Sequence, residues 1–442
     1  MTSETDEKLE KRIKKNIYGK PQSVKAIFPP GLGSMAFDEI QSILNDLWFP
    51  QKFISQCSLS KNDVRIHSIH LFSITELLMR SFCLSDIRLI IFEGKSFGKN
   101  VFERQCRDIP WDFYLAKNMS VKIKVDSVIS NAFHEAGLKD IVSEIVRPYI
   151  NEVVSGENTD ETTSIFAELY KNRLTVSISL AGNSLYKRGY RGKLSRSAPL
   201  REDAAACCIQ QSLQFARQFD VKFAPDLVLI PFSGTGTFAF EYLQQYYHFS
   251  PALFDRVYAL QAMPLFRSEH FNYLLKKANE HCLLNLAHAG KSKPFHVLCI
   301  DQASDANIAL AENLDNFKNA VKQNSFILPT DLSINTLQED FLEMDIAKFQ
   351  IEGKKLFLPL NPPYGIRLGN NADTVNLYQN IAIKINEISK ICQKGHKSIL
   401  GFILCPNEET WLTFMKNLKN SKTDTYHFTQ GGIDIRVCQF YL

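Results

Sequence analysis

The second half of the chain alternates short apolar blocks with longer amphipathic runs. Residues 227–230, 296–300 and 356–360 are nearly unbroken apolar segments without polar alternation. Such blocks predict strands buried on both faces, as in a parallel sheet covered by helices. The run from Thr237 onward and the run 306–314 carry apolar residues at helical spacing. Residues 398–404 and 433–441 predict the closing strands. From Asp203 on, the order helix, strand, helix, strand predicts an α/β domain.

The first half is patterned differently. It predicts strands at 24–28, 87–92 and 120–125 and helices at 35–47, 74–82 and 138–150, the first opened by the turn Pro29-Pro30-Gly31-Leu32-Gly33. Residues 151–163 are polar and predict a loop. Residues 169–180 predict two strands around a turn at Asn172. This half is mixed α+β, with no internal repeat and no low-complexity tract.

Two loops carry candidate chemistry. The strand at 356–360 delivers Asn361-Pro362-Pro363-Tyr364, followed by Gly365-Ile366-Arg367-Leu368. In open α/β sheets, ligands bind at the carboxyl ends of the strands. An exocyclic amine is a poor nucleophile because its lone pair is delocalised into the ring. Accepting hydrogen bonds from its protons localises that pair. The Asn361 side-chain oxygen and the Pro362 carbonyl are suitable acceptors. Pro362 and Pro363 stiffen the corner and bring no competing N–H, and Tyr364 offers a ring face for a flipped base. An ordinary Asn-Pro turn after a strand is the plain alternative.

The strand at 227–230 runs into Pro231-Phe232-Ser233-Gly234-Thr235-Gly236-Thr237. Glycines let a backbone pass close to a ligand, and a helix N-terminus presents free N–H groups. The loop lacks the Lys of a Walker motif and the GxGxxG spacing of dinucleotide folds. Asp301, at the end of 296–300, is placed to accept hydrogen bonds from ribose hydroxyls, or to cap a helix. Asp340 falls where an acid contacting an adenine ring would sit, or on a surface turn.

These features, in the order 234, 301, 340, 361, are similar to the class I methyltransferases that modify exocyclic amines with S-adenosylmethionine. The likeness narrows at Arg188-Gly189-Tyr190-Arg191 and Ala198-Pro199-Leu200-Arg201-Glu202. Both segments resemble the lead-in to the catalytic domain of the THUMP-containing guanine-N2 RNA methyltransferases (RlmL/TrmN type). The segment 250–285 resembles that family's insertion between its first two strands, and Ile109-Pro110-Trp111-Asp112-Phe113-Tyr114-Leu115 resembles part of a THUMP domain.

The resemblance implies an α+β N-terminal half, ferredoxin-like at 1–70 and THUMP at 71–165, followed by a Rossmann-like methyltransferase domain at 166–442. It implies that Asn361, Pro362, Pro363 and Tyr364 act in catalysis. Pro231, Phe232, Ser233, Gly234, Thr235, Gly236, Thr237, Asp301, Asp340 and Asn361 would hold S-adenosylmethionine. The implied substrate is guanine N2 of structured RNA, ribosomal or transfer. One departure stands out. The family usually carries Asp before the Pro of the glycine loop, where this chain has Ile230, and Glu202 is an acid that could take its place. Adenine-N6 DNA and protein glutamine methyltransferases use a similar corner, and a non-catalytic THUMP protein that binds RNA is a further alternative.

Composition adds limits. A chain of 442 residues, 45% hydrophobic and 22% charged, fits a globular protein of two or three domains. Ten cysteines show no C-x-x-C pairing, and His67 and His70 stand apart from other ligand types, so no metal site is expected. The charged N-terminus has no apolar signal core, and no run approaches the ~20 apolar residues of a membrane span. A cytoplasmic protein is expected. Net charge is only +4, yet residues 169–201 contain eight Lys or Arg and no carboxylate. Arg188, Tyr190, Arg191 and Lys193 are therefore candidate RNA contacts.

Overall fold

A computed structural model of the chain describes residues 4–128, 135–155, 162–194, 199–254, 256–282, 296–324, 333–349, 351–364, 371–394 and 397–442. Spatial contacts divide the chain into two units. The first comprises Met1–Phe28, Ala36–Lys187 and Asp255–Lys277, and the second Pro29–Met35, Arg188–Phe254 and Ala278–Leu442.

The first unit is built on β1 (Gln22–Ile27), β2 (Gln56–Leu59), β3 (Asp63–Ile69), β4 (Asp86–Lys95), β5 (Ser120–Val128), β6 (Glu152–Val153), β7 (Thr162–Tyr170) and β8 (Arg173–Ser179). They form one sheet in the order β2-β3-β1-β4-β8-β7-β5-β6. Its helices are α1 (Glu4–Ile13), α2 (Gly33–Asn45), α3 (Leu71–Arg80), α4 (Lys99–Arg107) and α5 (Glu135–Val146). The expected boundary after residue 70 is crossed by β1 pairing antiparallel with β4, and the one after 165 falls inside β7. β7 starts earlier than its alternation suggests. Residues 162–167 are all buried, so the polar Thr162, Thr163 and Ser164 belong to the interior rather than to a loop. The turn before β8 uses Lys171 and Asn172, both with positive φ (46° and 58°), the geometry of a tight hairpin.

The second unit holds β9 (Leu227–Pro231), β10 (His296–Ile300), β11 (Ser333–Leu337), β12 (Leu356–Leu360), β13 (Ile399–Cys405), β14 (Lys422–Gln430) and β15 (Ile433–Tyr441). The sheet order is β11-β10-β9-β12-β13-β15-β14. β9 to β13 run parallel, and β15 is antiparallel to both β13 and β14. β9, β12 and β13 are buried at every position, as central strands covered by helices require. The helices of this unit are α6 (Glu202–Ala216), α7 (Thr237–Tyr246), α9 (Ser304–Gln323), α10 (Asn371–Lys394) and α11 (Glu408–Asn417), while α8 (Ser268–His281) lies mostly in the first unit. Ile381, Ile385 and Ile388 of α10 pack on Leu358 and Ile403 in one apolar cluster. Each such side chain contributes about 1.5–3 kcal/mol on burial.

Part of the chain between β9 and β10, residues 255–277, is grouped with the first unit. There the Leu260 N–H donates to the Leu180 carbonyl (3.0 Å), Tyr18 donates its hydroxyl to the Leu265 carbonyl (2.5 Å), and His270 stacks on Phe72. No described helix is long and apolar enough to cross a membrane.

Candidate functional site

Strand order places the site. β9 stands at the centre of the parallel strands, with β10 on one side and β12 on the other. Crossovers leave in opposite directions there, which opens a crevice at the carboxyl ends. Sequence widens it. The β9–β12 ladder records only Leu227↔Leu356 and Val228↔Phe357. Beyond these, Pro231 and Pro359 have no N–H to donate, so nothing zips the two strands to their tips. The loops after β9, β10, β11 and β12 all emerge on this edge. They carry every candidate cofactor and catalytic residue.

The glycine loop is wound tightly. Phe232, Gly234 and Gly236 have φ of 55°, 51° and 86°. For Phe232 this left-handed conformation is uphill and must be held by its surroundings. Its ring packs edge-on against Phe341, centroids 6.0 Å apart. A Cβ on Gly236 would lie 2.7 Å from Phe240 Cε2 and 3.2 Å from Leu310 Cγ, whereas one on Gly234 meets nothing within 4 Å. Gly236 is thus needed by the fold, and Gly234 faces open space. α7 starts immediately after, with Gly236 as its N-cap residue and no side chain capping it. The Ser233 hydroxyl is buried and without a hydrogen-bond partner among the described residues.

Asp301 ties the edge together. Its Oδ2 accepts the Gly234 N–H (2.8 Å) and its Oδ1 accepts the Ala303 N–H (3.0 Å). It therefore forms an Asx-type turn ahead of α9 and anchors the glycine loop, with lone pairs to spare, while α9 itself starts after Ala303 without a side-chain cap. Asp340 is exposed, and its Oδ1 caps the turn after β11 through the Leu342 N–H (2.9 Å). Asn361 and Tyr364 are half-buried, Pro362 is buried and Pro363 exposed. The Asn361 Oδ1 atom is buried and has no partner among the described residues. Burial raises the pKa of Tyr364 well above its ordinary value, so its hydroxyl stays neutral. Gly365, Ile366, Arg367, Leu368, Arg196 and Ala198 lie outside the described residues.

The basic segment is corrected. Lys171, Arg173 and Lys187 belong to the first unit and Arg188 onward to the second. Arg188 and Tyr190 are fully buried and converge on Glu241 of α7. The guanidinium reaches its two carboxylate oxygens at 3.4 and 3.3 Å, and the Tyr190 hydroxyl donates at 3.2 Å. Neither side chain can touch RNA from there. Burial pushes the Glu241 carboxyl up to about 7, against the opposing pull of Arg188. Arg191 is partly buried, ion-paired with Glu202 at 2.5 Å, and its guanidinium donates to Thr235 and Thr237. Glu202 is thus committed to Arg191, and Ile230 is an ordinary core residue opposite Cys299. Only Lys193 among the four remains exposed. Sequence reasoning missed Glu241 and Asn313. The available signal was a lone polar residue inside the apolar stretch of a helix, Glu241 in Phe-Ala-Phe-Glu-Tyr-Leu.

Among the described residues no group of three or more His, Cys, Asp or Glu is placed to hold a metal. No family model matches the chain. By sequence it is 26% identical over 319 residues to the "Ribosomal RNA large subunit methyltransferase K/L" of Legionella pneumophila, covering 71% of this chain and 40% of the relative. It is 27% identical over 278 residues to the protein of the same name from Acinetobacter baylyi, covering 62% and 34%. The chain thus spans well under half the length of these relatives. By structure it resembles a putative methyltransferase solved in complex with SAH, with TM-score 0.71, 17% identity and 95% and 98% coverage. The chain thus shares its fold with that methyltransferase structure and is similar in sequence to the ribosomal RNA large subunit methyltransferases. TrmN from Thermus thermophilus shares the fold too, with TM-score 0.57, 15% identity and 95% and 99% coverage.

Proposed function

We propose that the chain transfers a methyl group from S-adenosylmethionine to an exocyclic amine of an RNA base, guanine N2 of ribosomal or transfer RNA. One observation carries the reading: Asn361 Oδ1 is a buried acceptor without a donor among the described residues, at the crevice edge of the strand beside the glycine loop. A buried polar atom left unsatisfied costs about 1–3 kcal/mol. The NH2 group of a substrate supplies the missing donor.

The residues present fit the cofactor. The loop after β9 offers the uncapped start of α7, a Ser233 hydroxyl without a partner among the described residues, and open space over Gly234. Asp301 retains lone pairs for ribose hydroxyls beyond those that hold Gly234 and Ala303, and Asp340 borders the adenine region. Bound there, S-adenosylmethionine supplies a methyl group made electrophilic by its sulfonium. Asn361 and the Pro362 carbonyl orient the amine, Pro363 keeps the corner stiff, and Tyr364 stacks on the base. The contribution of these residues is alignment and exclusion of water. The first unit, as ferredoxin-like and THUMP parts, holds structured RNA by shape, and Lys193 contacts the backbone.

The test is nucleoside mass spectrometry of RNA and DNA from cells with and without this protein. Loss of N2-methylguanosine from RNA is expected. Loss of N6-methyladenine from DNA would move the activity to another substrate. Unchanged bases, together with no calorimetric binding of S-adenosylmethionine, would leave an RNA-binding protein without catalysis.

A further inference from the structure

We infer that Arg191 is a positioning residue for the cofactor loop, a brace that fixes the turn from Thr235 to Thr237 against Glu202. For the identity of the ligand this rests on the methyl-transfer reading; the brace itself is a statement about the loop.

The Arg191 guanidinium is used on every side. Its Nε donates to Glu202 Oε1 (2.5 Å), and its Nη2 to the Leu200 carbonyl (2.8 Å) and Thr237 Oγ1 (3.0 Å). Its Nη1 donates to Thr235 Oγ1 (3.3 Å). Four acceptors from the lead-in segment, the start of α6 and the glycine loop meet on one planar cation. A second tie runs alongside. Buried Asn313 of α9 accepts the Gly192 N–H (2.7 Å) and donates to the Thr235 carbonyl (2.8 Å). Arg191 and its neighbour thus grip the same loop residue by two routes.

The loop needs such a grip. Three of its residues sit in the left-handed region, Phe232 without the licence a glycine has. The free N–H groups at the start of α7 are ready for a ligand only while the turn keeps its shape, and a preordered loop spares the ordering cost at binding. Only the fork of an arginine reaches this set; a lysine ammonium is a point donor on one stem. The charge that a linear reading assigns to RNA is therefore consumed inside the catalytic unit.

The experiment compares wild type with Arg191→Ala, Arg191→Lys and Thr237→Val. Thr237→Val keeps the shape and removes one acceptor. Three quantities are measured: hydrogen exchange of the peptide covering 232–238 without cofactor, affinity for S-adenosylhomocysteine by calorimetry, and affinity for deproteinised ribosomal RNA by filter binding. Arg191→Ala is expected to speed local exchange and to weaken S-adenosylhomocysteine binding by about tenfold or more. Arg191→Lys falls between it and wild type. Thr237→Val moves both readouts the same way by about threefold, and carries the test if Arg191→Ala fails to fold. RNA affinity stays within about twofold of wild type. Unchanged loop exchange in both Arg191→Ala and Thr237→Val overturns the brace. So does a lowered melting temperature with exchange raised evenly along the chain and ligand affinity intact. Lost RNA affinity with unchanged ligand affinity restores Arg191 to the RNA surface and overturns it too. If wild type binds no S-adenosylhomocysteine, the methyl-transfer reading fails, and the exchange data still decide the brace.

Discussion

Arg188→Ala separates a buried structural charge from an RNA contact. Both side chains of the Arg188–Glu241 pair are 0% exposed. Truncation leaves the Glu241 carboxylate in the interior with Tyr190 and Gln244 as its neighbours at 3.2 Å each. Removing one partner of a buried pair costs about 3–5 kcal/mol. One effect limits the loss. Burial already holds the Glu241 carboxyl at about 7, so below that pH it escapes the penalty by keeping its proton. The cost is thus expected to be larger at about pH 8 than at about pH 6. For a folding unit of this size each kcal/mol lowers Tm by about 2–4 °C, which gives a drop of about 6–20 °C. Scanning calorimetry at the two pH values measures it. The double variant Arg188→Met with Glu241→Leu removes both charges and is expected to recover most of the loss. RNA affinity of the folded protein should stay within about twofold, since the guanidinium never reaches solvent. An unchanged Tm with RNA affinity reduced about tenfold would show that Arg188 is not a core ion pair, and would refute the reasoning.

Three further outcomes follow from the same geometry. Asn361→Ala should cut kcat by about 10²–10³ while Kd for S-adenosylmethionine shifts less than about threefold, measured by methyl transfer to RNA and by calorimetry; near-normal turnover would remove Asn361 from its assigned role. Gly236→Ala combines a positive φ with a Cβ 2.7 Å from Phe240; it should destabilise by about 2–4 kcal/mol in urea unfolding and weaken cofactor binding. Glu241 binds its proton more tightly folded than unfolded, its pKa going from 4.5 to about 7. The folded state then holds more protons between those values, so this group's contribution to stability falls as pH rises across the window. Glu241→Gln should remove that part of the slope in denaturation curves taken along the pH scale.

The second half of the fold was legible because its strands announce themselves. Leu227–Pro231, His296–Ile300 and Leu356–Leu360 are runs too apolar to sit anywhere but between layers. The loops at the strand ends were legible for a related reason: glycines, prolines and an asparagine mark the turns by which the chain leaves a sheet. Less was visible in the first half. Short edge strands such as β2, exposed at most positions, carry little apolar signal. β7 begins with hydroxyl residues that read as a loop, and its burial depends on β5 and β8 flanking it. The placement of 255–277 with the first unit also follows from contacts such as Leu260 to Leu180, remote in sequence.

What the chain of residues determined alone was local: where strands and helices form, which loops lie at strand ends, and which functional groups those loops display. These depend on side-chain periodicity and backbone preference over a few neighbours. What tertiary structure decided was the fate of charge. Arg188, Tyr190 and Arg191 look like a nucleic-acid patch in one dimension. In three dimensions, Glu241 and Glu202 claim them, the former from 53 residues away. A carboxylate taken out of water must find a cation, and only the packing of α7 beside the lead-in segment settles which one it finds.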